Sequence, residues 1–370
     1  MQKMVPEAKE KGYEFITLPV LGSIKEALKR HQYNKAFEEI IHRLFGRLLF
    51  DLRLILIRDS VILFIHPQIS GFKNLLRLIK NNRVYVYVMD NGFFCVRSYN
   101  LDPYNQVECL KCVGAPENVL QGCQPYPAAY PKSSNTLFLK SLMTLSRKVV
   151  FLAQNQNQRK ILKAHFGDDI DCIVVGMNTG EIPLADEPEM NILDENLKYD
   201  VVYHGSSHLA KGISYVVQLA RYLKEVSFFV PESRESCEIA LGSFIECENI
   251  SFRECRWESG LKSAVSQARL VINPSLWSAS IEGALLKSVF YGYKVATVET
   301  QYGFEGELSE DINLIRLPHD ISLAAKIVKD TLTHCSSTEE PRVSRSKIVD
   351  FLNQKSIFDV IDEHLFENSL

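Results

Sequence analysis

Two short stretches put a cation, hydroxyl groups and a carboxylate where an apolar run hands over to a helical pattern. In YHGSSHLAKGISYVVQLARYL the apolar run ends at His204, a loop covers 205–207, and Lys211-Gly212 opens the helix. A glycine turn lets backbone N–H groups face outward, a helix N-terminus favours anions, and Lys211 adds a full positive charge on a mobile stem. Gly205, Ser206 and Lys211 together suit a diphosphate. The alternative is a tight turn beside a solvated lysine, since strand–glycine–helix junctions are common in α/β folds. In RLVINPSLWSASIEGALLKSVFYGYKVATVET the run ends at Asn273, Pro274-Ser275 leads a polar loop with Trp277 and Ser278, and Glu282-Gly283 falls in the next helix's first turn. Small residues there (Ser278, Ala279, Gly283, Ala284) let a bulky ligand approach the backbone. Glu282 can accept hydrogen bonds from sugar hydroxyls, or simply complement the helix dipole.

A third cluster is built of thiols. Cys95, Cys109, Cys112 and Cys123 lie within one Pro-, Gly- and Asn-containing excursion over 91–130, with Cys109 and Cys112 as a C-x-x-C pair. Four soft thiolates can enclose a tetrahedral Zn²⁺ that closes a loop with no core of its own. The same ligands fit an iron–sulfur cluster, and free thiols are the remaining alternative. A metal held by four cysteines has no open position and is structural rather than catalytic. The excursion begins at Asp90-Asn91, where a strand pattern over 84–89 ends. Asp90 and, as the weaker candidate, His66 at the end of the preceding strand pattern are titratable groups at strand ends; a strand-end turn residue is the alternative for Asp90.

The elements that carry these residues alternate. Strand patterns recur at 13–19, 61–66, 84–89, 149–153, 173–175, 200–204, 226–230, 249–252, 270–273 and 294–298, with helical patterns between most of them, as at 213–223, 260–268 and 281–291. This predicts an α/β fold of two Rossmann-like parallel sheets, each covered by helices on both faces. At 370 residues two domains are expected. The acidic, proline-bearing stretch 177–200 is the linker candidate. The resulting division is an N-terminal domain over 1–180, a C-terminal domain over 198–345 and a final helical segment over 346–370. Two such sheets in tandem leave a cleft between the carboxyl ends of their strands, where open α/β sheets bind ligands.

The order strand–Gly loop–Lys-Gly, strand–Asn-Pro-Ser–aromatic, helix–Gly–strand resembles the retaining glycosyltransferases of the two-Rossmann-domain (GT-B) type, above all the family-4 group. The likeness covers roughly 200–332 well and the first half loosely. It implies that Lys211 binds the donor diphosphate and that Ser275, Trp277, Ser278 and Glu282 lie near the donor. It also implies that the strand end at Asp90 faces the acceptor, which Asp90 then positions or deprotonates if within reach, and that the C-terminal helix crosses back to the first domain. Asp90 and Glu282 are then the candidate catalytic carboxylates, and Trp257, in FRECRWE after a strand pattern, stacks on the nucleotide base or packs on the neighbouring helix. The family's pair of glutamates seven residues apart is not matched. Lys287 stands at the second position, where it meets a phosphate or lies on the helix surface, and Glu282 falls between the two places. SxxIEGALxKS resembles a divergent branch found among bacterial surface-polysaccharide glycosyltransferases. The implied activity is transfer of a sugar from a UDP- or GDP-sugar donor to a glycan or lipid-linked acceptor, with no metal required for the transfer step. The alternative, suggested by the unmatched glutamate pair, is a non-catalytic sugar-nucleotide-binding or scaffold subunit. A sugar-nucleotide epimerase of the same architecture is a weaker third reading.

Composition narrows the setting. A net charge of −3 gives no global positive field to attract nucleic acid. The polar start MQKMVPEAKEKGYEF does not read as a signal peptide, and nine cysteines then suit a reducing, cytoplasmic compartment. Residues 23–58 carry eight Lys/Arg against four acidic residues amid many leucines. Such a helix can lie on the inner face of the plasma membrane or pack as an ordinary core helix. The family usually begins with a strand and a glycine-rich loop. Here 1–11 already reads as the first helix and 13–19 as the second strand, so that loop is expected to be missing.

Overall fold

The computed structural model describes residues 4–18, 24–126, 130–177, 199–308, 314–333 and 355–367. The linker stretch expected at 177–200 lies almost wholly outside the described residues.

The first sheet contains β1 (Val61–Phe64), β2 (Arg83–Tyr87), β3 (Val149–Ala153) and β4 (Asp171–Val174), paired in parallel in chain order. Strand β3, Val-Val-Phe-Leu-Ala, is buried along its whole length. That suits an interior parallel strand covered on both faces, which needs no polar alternation. Before and between these strands come α1 (Met4–Glu10), α2 (Ile24–Lys29), α3 (Tyr33–Leu56), α4 (Pro67–Ser70), α5 (Phe72–Asn81), α6 (Lys132–Leu145) and α7 (Gln156–Phe166). In α5, Phe72, Leu75, Leu78 and Ile79 are buried, the spacing of one helical face. One face of the sheet packs with α3, α5 and α6 residues such as Phe50, Leu75 and Phe138.

The second sheet contains β5 (Val201–Tyr203), β6 (Phe228–Val230), β7 (Ile250–Phe252), β8 (Leu270–Ile272), β9 (Val295–Val298) and β10 (Leu314–Leu317), in the order β10-β9-β8-β5-β6-β7, all parallel. This is the doubly wound Rossmann order, and it reverses between β5 and β8. Its helices are α8 (Ile213–Tyr222), α9 (Arg234–Leu241), α10 (Leu261–Ser266), α11 (Gly283–Tyr291) and α12 (Ile321–Thr333). Val201 and Tyr203 point into one core and Val202 into the other, as the two-residue period of a strand requires.

A last helix, α13 (Ile357–Glu367), lies on the first sheet: Ile357, Phe358 and Ile361 are buried with Tyr85, Tyr87, Val150 and Leu152. The Tyr85 hydroxyl lies 2.9 Å from His364 Nδ1, and Lys11 bridges to Asp359 and Asp362.

Two local expectations are corrected. Residues 13–18 form no strand. Tyr13 packs against Phe358 of α13, so the aromatic and β-branched content of this stretch serves side-chain packing rather than a hydrogen-bonded ladder. Strand β10 was not legible, because Asn-Leu-Ile-Arg-Leu is short and carries a charge. Its arginine reaches off the strand to the carbonyls of Glu305 and Leu308.

Candidate active site

A cavity of about 500 Å³ lies between the carboxyl ends of the two sheets. From the second half it takes the residues just past β5 and β8, the two strands at which the sheet order reverses, which is where doubly wound sheets bind ligands.

The loop after β5 is shaped by close approach. The buried Tyr203 hydroxyl lies 2.7 Å from the Ser206 carbonyl and 3.0 Å from that of Lys211, tying both ends of the loop to the core. A Cβ on Gly205 would come within 2.4 Å of that hydroxyl. Gly212 has φ +84° and a Cβ there would stand 2.0 Å from the Pro274 carbonyl oxygen, so the turn into α8 also requires glycine. The loop after β8 is pinned to the first by the Leu276 N–H, which donates to the Ala210 carbonyl at 2.9 Å. These contacts bring Lys211 to the N-terminus of α11.

Lys211 Nζ forms an ion pair with Glu282, whose other carboxylate oxygen accepts from Ser275 Oγ at 2.6 Å. The ammonium also lies 5.1 Å from the Trp277 ring centroid and 5.6 Å from that of Tyr99, and the two rings are 4.4 Å apart. Gly283 and Ala284 line the cavity at the start of α11, where backbone N–H groups of a first helical turn have no partner within the helix. Lys211 and Ser275 thus converge on the Glu282 carboxylate, and the first turn of α11 lines the same cavity. The arrangement can hold an anion with two or more negative oxygens.

From the first half come His66, Met89, Asp90 and Tyr99. The Asp90 carboxylate accepts from the Gly92 N–H at 2.8 Å and from Gln68 Nε2 at 3.1 and 3.2 Å. Burial raises its pKa to about 6, against the smaller lowering effect of those hydrogen bonds. His66 caps α4 with φ +58°, a conformation uncommon outside glycine that occurs where surrounding structure enforces it. Burial lowers its pKa.

Of the candidates read from sequence, the cavity gathers Asp90, Gly205, Ser206, Lys211, Ser275, Trp277 and Glu282, with His66. Three lie elsewhere. Ser278 does not line the cavity: Asn100 Nδ2 donates to its hydroxyl at 2.8 Å, that hydroxyl donates to Glu108, and Asn91 Nδ2 donates to its carbonyl at 2.9 Å. Glu108 also accepts from the Gln301 and Tyr302 N–H groups, so the 91–130 excursion clamps the two halves together through Ser278. Trp257 stacks on His204, with centroids 5.3 Å apart and planes 12° from parallel. Lys287 Nζ sits 4.8 Å over the other ring system of that pair, Trp257, and burial lowers its pKa.

The metal expectation finds no support. Cys95, Cys109, Cys112 and Cys123 are free thiols, and among the described residues no group of three or more His, Cys, Asp or Glu side chains is placed to hold a metal, although the four lie near enough for their charges to interact. The excursion also has an apolar core. Cys95, Cys112 and Cys123 are buried with Phe93, Phe94 and Val96 in the apolar cluster of the first sheet, and burial raises the pKa of all three, that of Cys112 to about 12.

Sequence reasoning missed Tyr99, His204, Asn273 and Ser280 as cavity residues. Asn273 was visible in the Asn-Pro-Ser motif; its side chain donates to the His204 carbonyl. Tyr99 had no signal, because it reaches the site from the thiol-bearing excursion by tertiary packing alone.

No family model and no curated protein matches the sequence. Solved structures with a similar fold include sucrose-phosphate synthase from Thermosynechococcus elongatus, with a TM-score of 0.54 and 12% identity over 83% of this chain and 73% of that one. The HepE protein of Anabaena, solved in complex with UDP, gives a TM-score of 0.51 and 12% identity over 88% of this chain and 82% of that one. TarM gives a TM-score of 0.50 and 14% identity over 86% of this chain, which spans 57% of TarM's length. Two parallel sheets facing across a cleft, one of them in Rossmann order, and this set of similar structures give the chain the two-Rossmann-domain GT-B fold.

Proposed function

We propose that the protein is a glycosyltransferase that moves a sugar from a nucleoside-diphosphate donor to a glycan or lipid-linked acceptor. The observation that carries this reading is the convergence of Lys211, Ser275 and the first turn of α11 on one cavity, with the Asp90 carboxyl facing it from the other half. A departing diphosphate develops negative charge, and a preorganised ammonium and helix N-terminus stabilise it without reorganisation. Glu282 exchanges its pairing with Lys211 for donor hydroxyls when the diphosphate arrives. Asp90 orients or deprotonates the acceptor. HepE, solved with UDP, supports a UDP-sugar as donor, with a GDP-sugar as the alternative. The likeness of the 270–298 stretch to retaining family-4 enzymes supports retention of configuration and a role in bacterial surface-polysaccharide synthesis. Free thiols at the eight described cysteines suit a cytoplasmic setting.

A thermal-shift screen with nucleoside-diphosphate sugars identifies the donor, because a ligand bound only by the folded state raises the melting temperature. Release of the nucleoside diphosphate on adding acceptor glycans then tests transfer. Binding without turnover on any acceptor would favour the second reading, a non-catalytic sugar-nucleotide-binding or scaffold subunit. That reading has one observation of its own: Glu282, already paired with Lys211 and Ser275, is the carboxylate that the second half contributes to the cavity lining. No shift with any nucleotide would refute both.

A further inference from the structure

The Lys211 ammonium is shared by two aromatic rings, one from each half of the molecule. Trp277 comes from the loop after β8, and Tyr99 from the 91–130 excursion of the first half. Lys211 Nζ lies over both rings, 5.1 Å from the Trp277 centroid and 5.6 Å from that of Tyr99. The two centroids are 4.4 Å apart, with planes tilted by 50°. A cation within about 6 Å of a ring centroid is attracted by the negative face of the π system.

The chain on either side of Tyr99 is fixed. Ser98 has φ +66°, a left-handed conformation uncommon for a residue with a Cβ. Its carbonyl accepts from the Asn91 N–H at 2.9 Å and its hydroxyl from Gln68 Nε2 at 3.1 Å. Leu101 is buried in the core of the second sheet, Tyr99 packs against that core, and Arg97 donates to the Leu101 carbonyl at 2.8 Å. His208, three residues before Lys211, meets the Tyr99 ring in a T-shaped contact, with centroids 5.1 Å apart and planes at 82°. An element of the first half is thus seated in the second half beside the lysine.

Trp277 points the same way by a different observation. It is 3% exposed, and its indole N–H has no hydrogen-bond partner among the described residues. A buried unpaired donor is unfavourable, and leucine or phenylalanine would fill the place without one. What the indole supplies in return is the strongest π face for a cation.

We propose that Tyr99 and Trp277 are positioning residues that bracket the Lys211 ammonium, so that the diphosphate site is complete only when the excursion of the first half is seated on the second. The inference rests on the diphosphate reading of this site. The rings restrict a flexible four-carbon stem before the ligand arrives, and a side chain already aimed loses less freedom on binding.

Two measurements on full-length protein test it. Reductive methylation with carbon-13 labels the lysines, and Lys211, 27% exposed, is identified by the signal that Lys211→Arg removes. Without any ligand that signal should be shifted upfield by the rings, and the shift should shrink in Tyr99→Leu. Calorimetry with inorganic pyrophosphate then compares rings at position 99. Tyr99→Phe should bind within about twofold of wild type, and Tyr99→Leu about tenfold more weakly. Pentafluorophenylalanine at position 99 keeps the ring's shape and packing but reverses its quadrupole, so it should bind as weakly as Tyr99→Leu. A role in packing alone predicts instead that it binds like Tyr99→Phe. That result, or a Lys211 methyl signal with no upfield shift in wild type, would overturn the proposal. If wild-type protein binds no pyrophosphate, the diphosphate reading fails by itself; an upfield Lys211 signal that Tyr99→Leu moves back would still support the bracket.

Discussion

Removing the Lys211 ammonium is the most direct perturbation of the proposed diphosphate site. Unit charges about 4 Å apart at an effective dielectric near 20 interact by about 4 kcal/mol. The lysine is already paired with Glu282, so an arriving diphosphate gains the whole of that attraction only if Lys211 keeps both partners. If the glutamate is displaced, the net gain is about half as large. Lys211→Ala should therefore weaken binding of inorganic pyrophosphate by about 2–4 kcal/mol, roughly thirtyfold to a thousandfold. Pyrophosphate is the proper probe because it has no ribose or sugar for Glu282 to hold. Glu282→Gln removes a carboxylate that both competes for the lysine and faces the phosphates, so it should tighten pyrophosphate binding about tenfold while lowering turnover of the full donor. In the double variant, part of the Lys211→Ala loss should return. Isothermal titration calorimetry on the four proteins gives the complete cycle, with circular dichroism as the check on folding. Pyrophosphate affinity unchanged by Lys211→Ala, or weakened by Glu282→Gln, would refute the electrostatic reasoning.

Other expectations follow from single residues. Asp90 has a pKa raised to about 6 by burial, so if its carboxylate serves as base, turnover should climb with pH through an apparent pKa near 6; a profile flat from pH 5 to 7 (about one unit either side) would remove it from that role. The same shift has a stability sign. A folded-state pKa above the unfolded one favours folding below about pH 4 and is lost as pH rises through about 6, so Asp90→Asn should raise the melting temperature at pH 8 relative to pH 4 when compared with wild type. Gly212→Ala combines a left-handed backbone with a clash at the Pro274 carbonyl and should cost about 3 kcal/mol in denaturant unfolding. Protein purified without chelator should contain zinc and iron well below one equivalent, and Ellman titration under denaturing conditions should count nine thiols.

Much of the second half was legible residue by residue. Strands at 200–204, 249–252 and 270–273 were found to within two residues: the first and last are short apolar runs buried on both faces, and the second is an edge strand that alternates an inward Ile250 with an exposed Ser251. Lys211, Ser275 and Glu282 could be placed at strand-to-helix corners from sequence because local geometry decides where such corners fall. Gly205 and Gly212 marked the same corners, since their backbone positions leave no room for a side chain. The 91–130 excursion was less legible for the opposite reason. Its cysteines suit ligands when counted along the chain, and only packing shows that three of them also belong to an apolar core.

The sequence by itself determined the alternation of strands and helices, the two corners and the charges they carry, since all three depend on neighbours a few residues apart. Tertiary structure alone decided that Ser278 is a clamp between the halves while Ser275 faces the cavity. It also decided that Tyr99 reaches the site from a distant loop and that α3 keeps its apolar face uncovered. Periodicity shows that a helix has an apolar side. Whether that side is buried depends on which surfaces the rest of the chain leaves free to meet it.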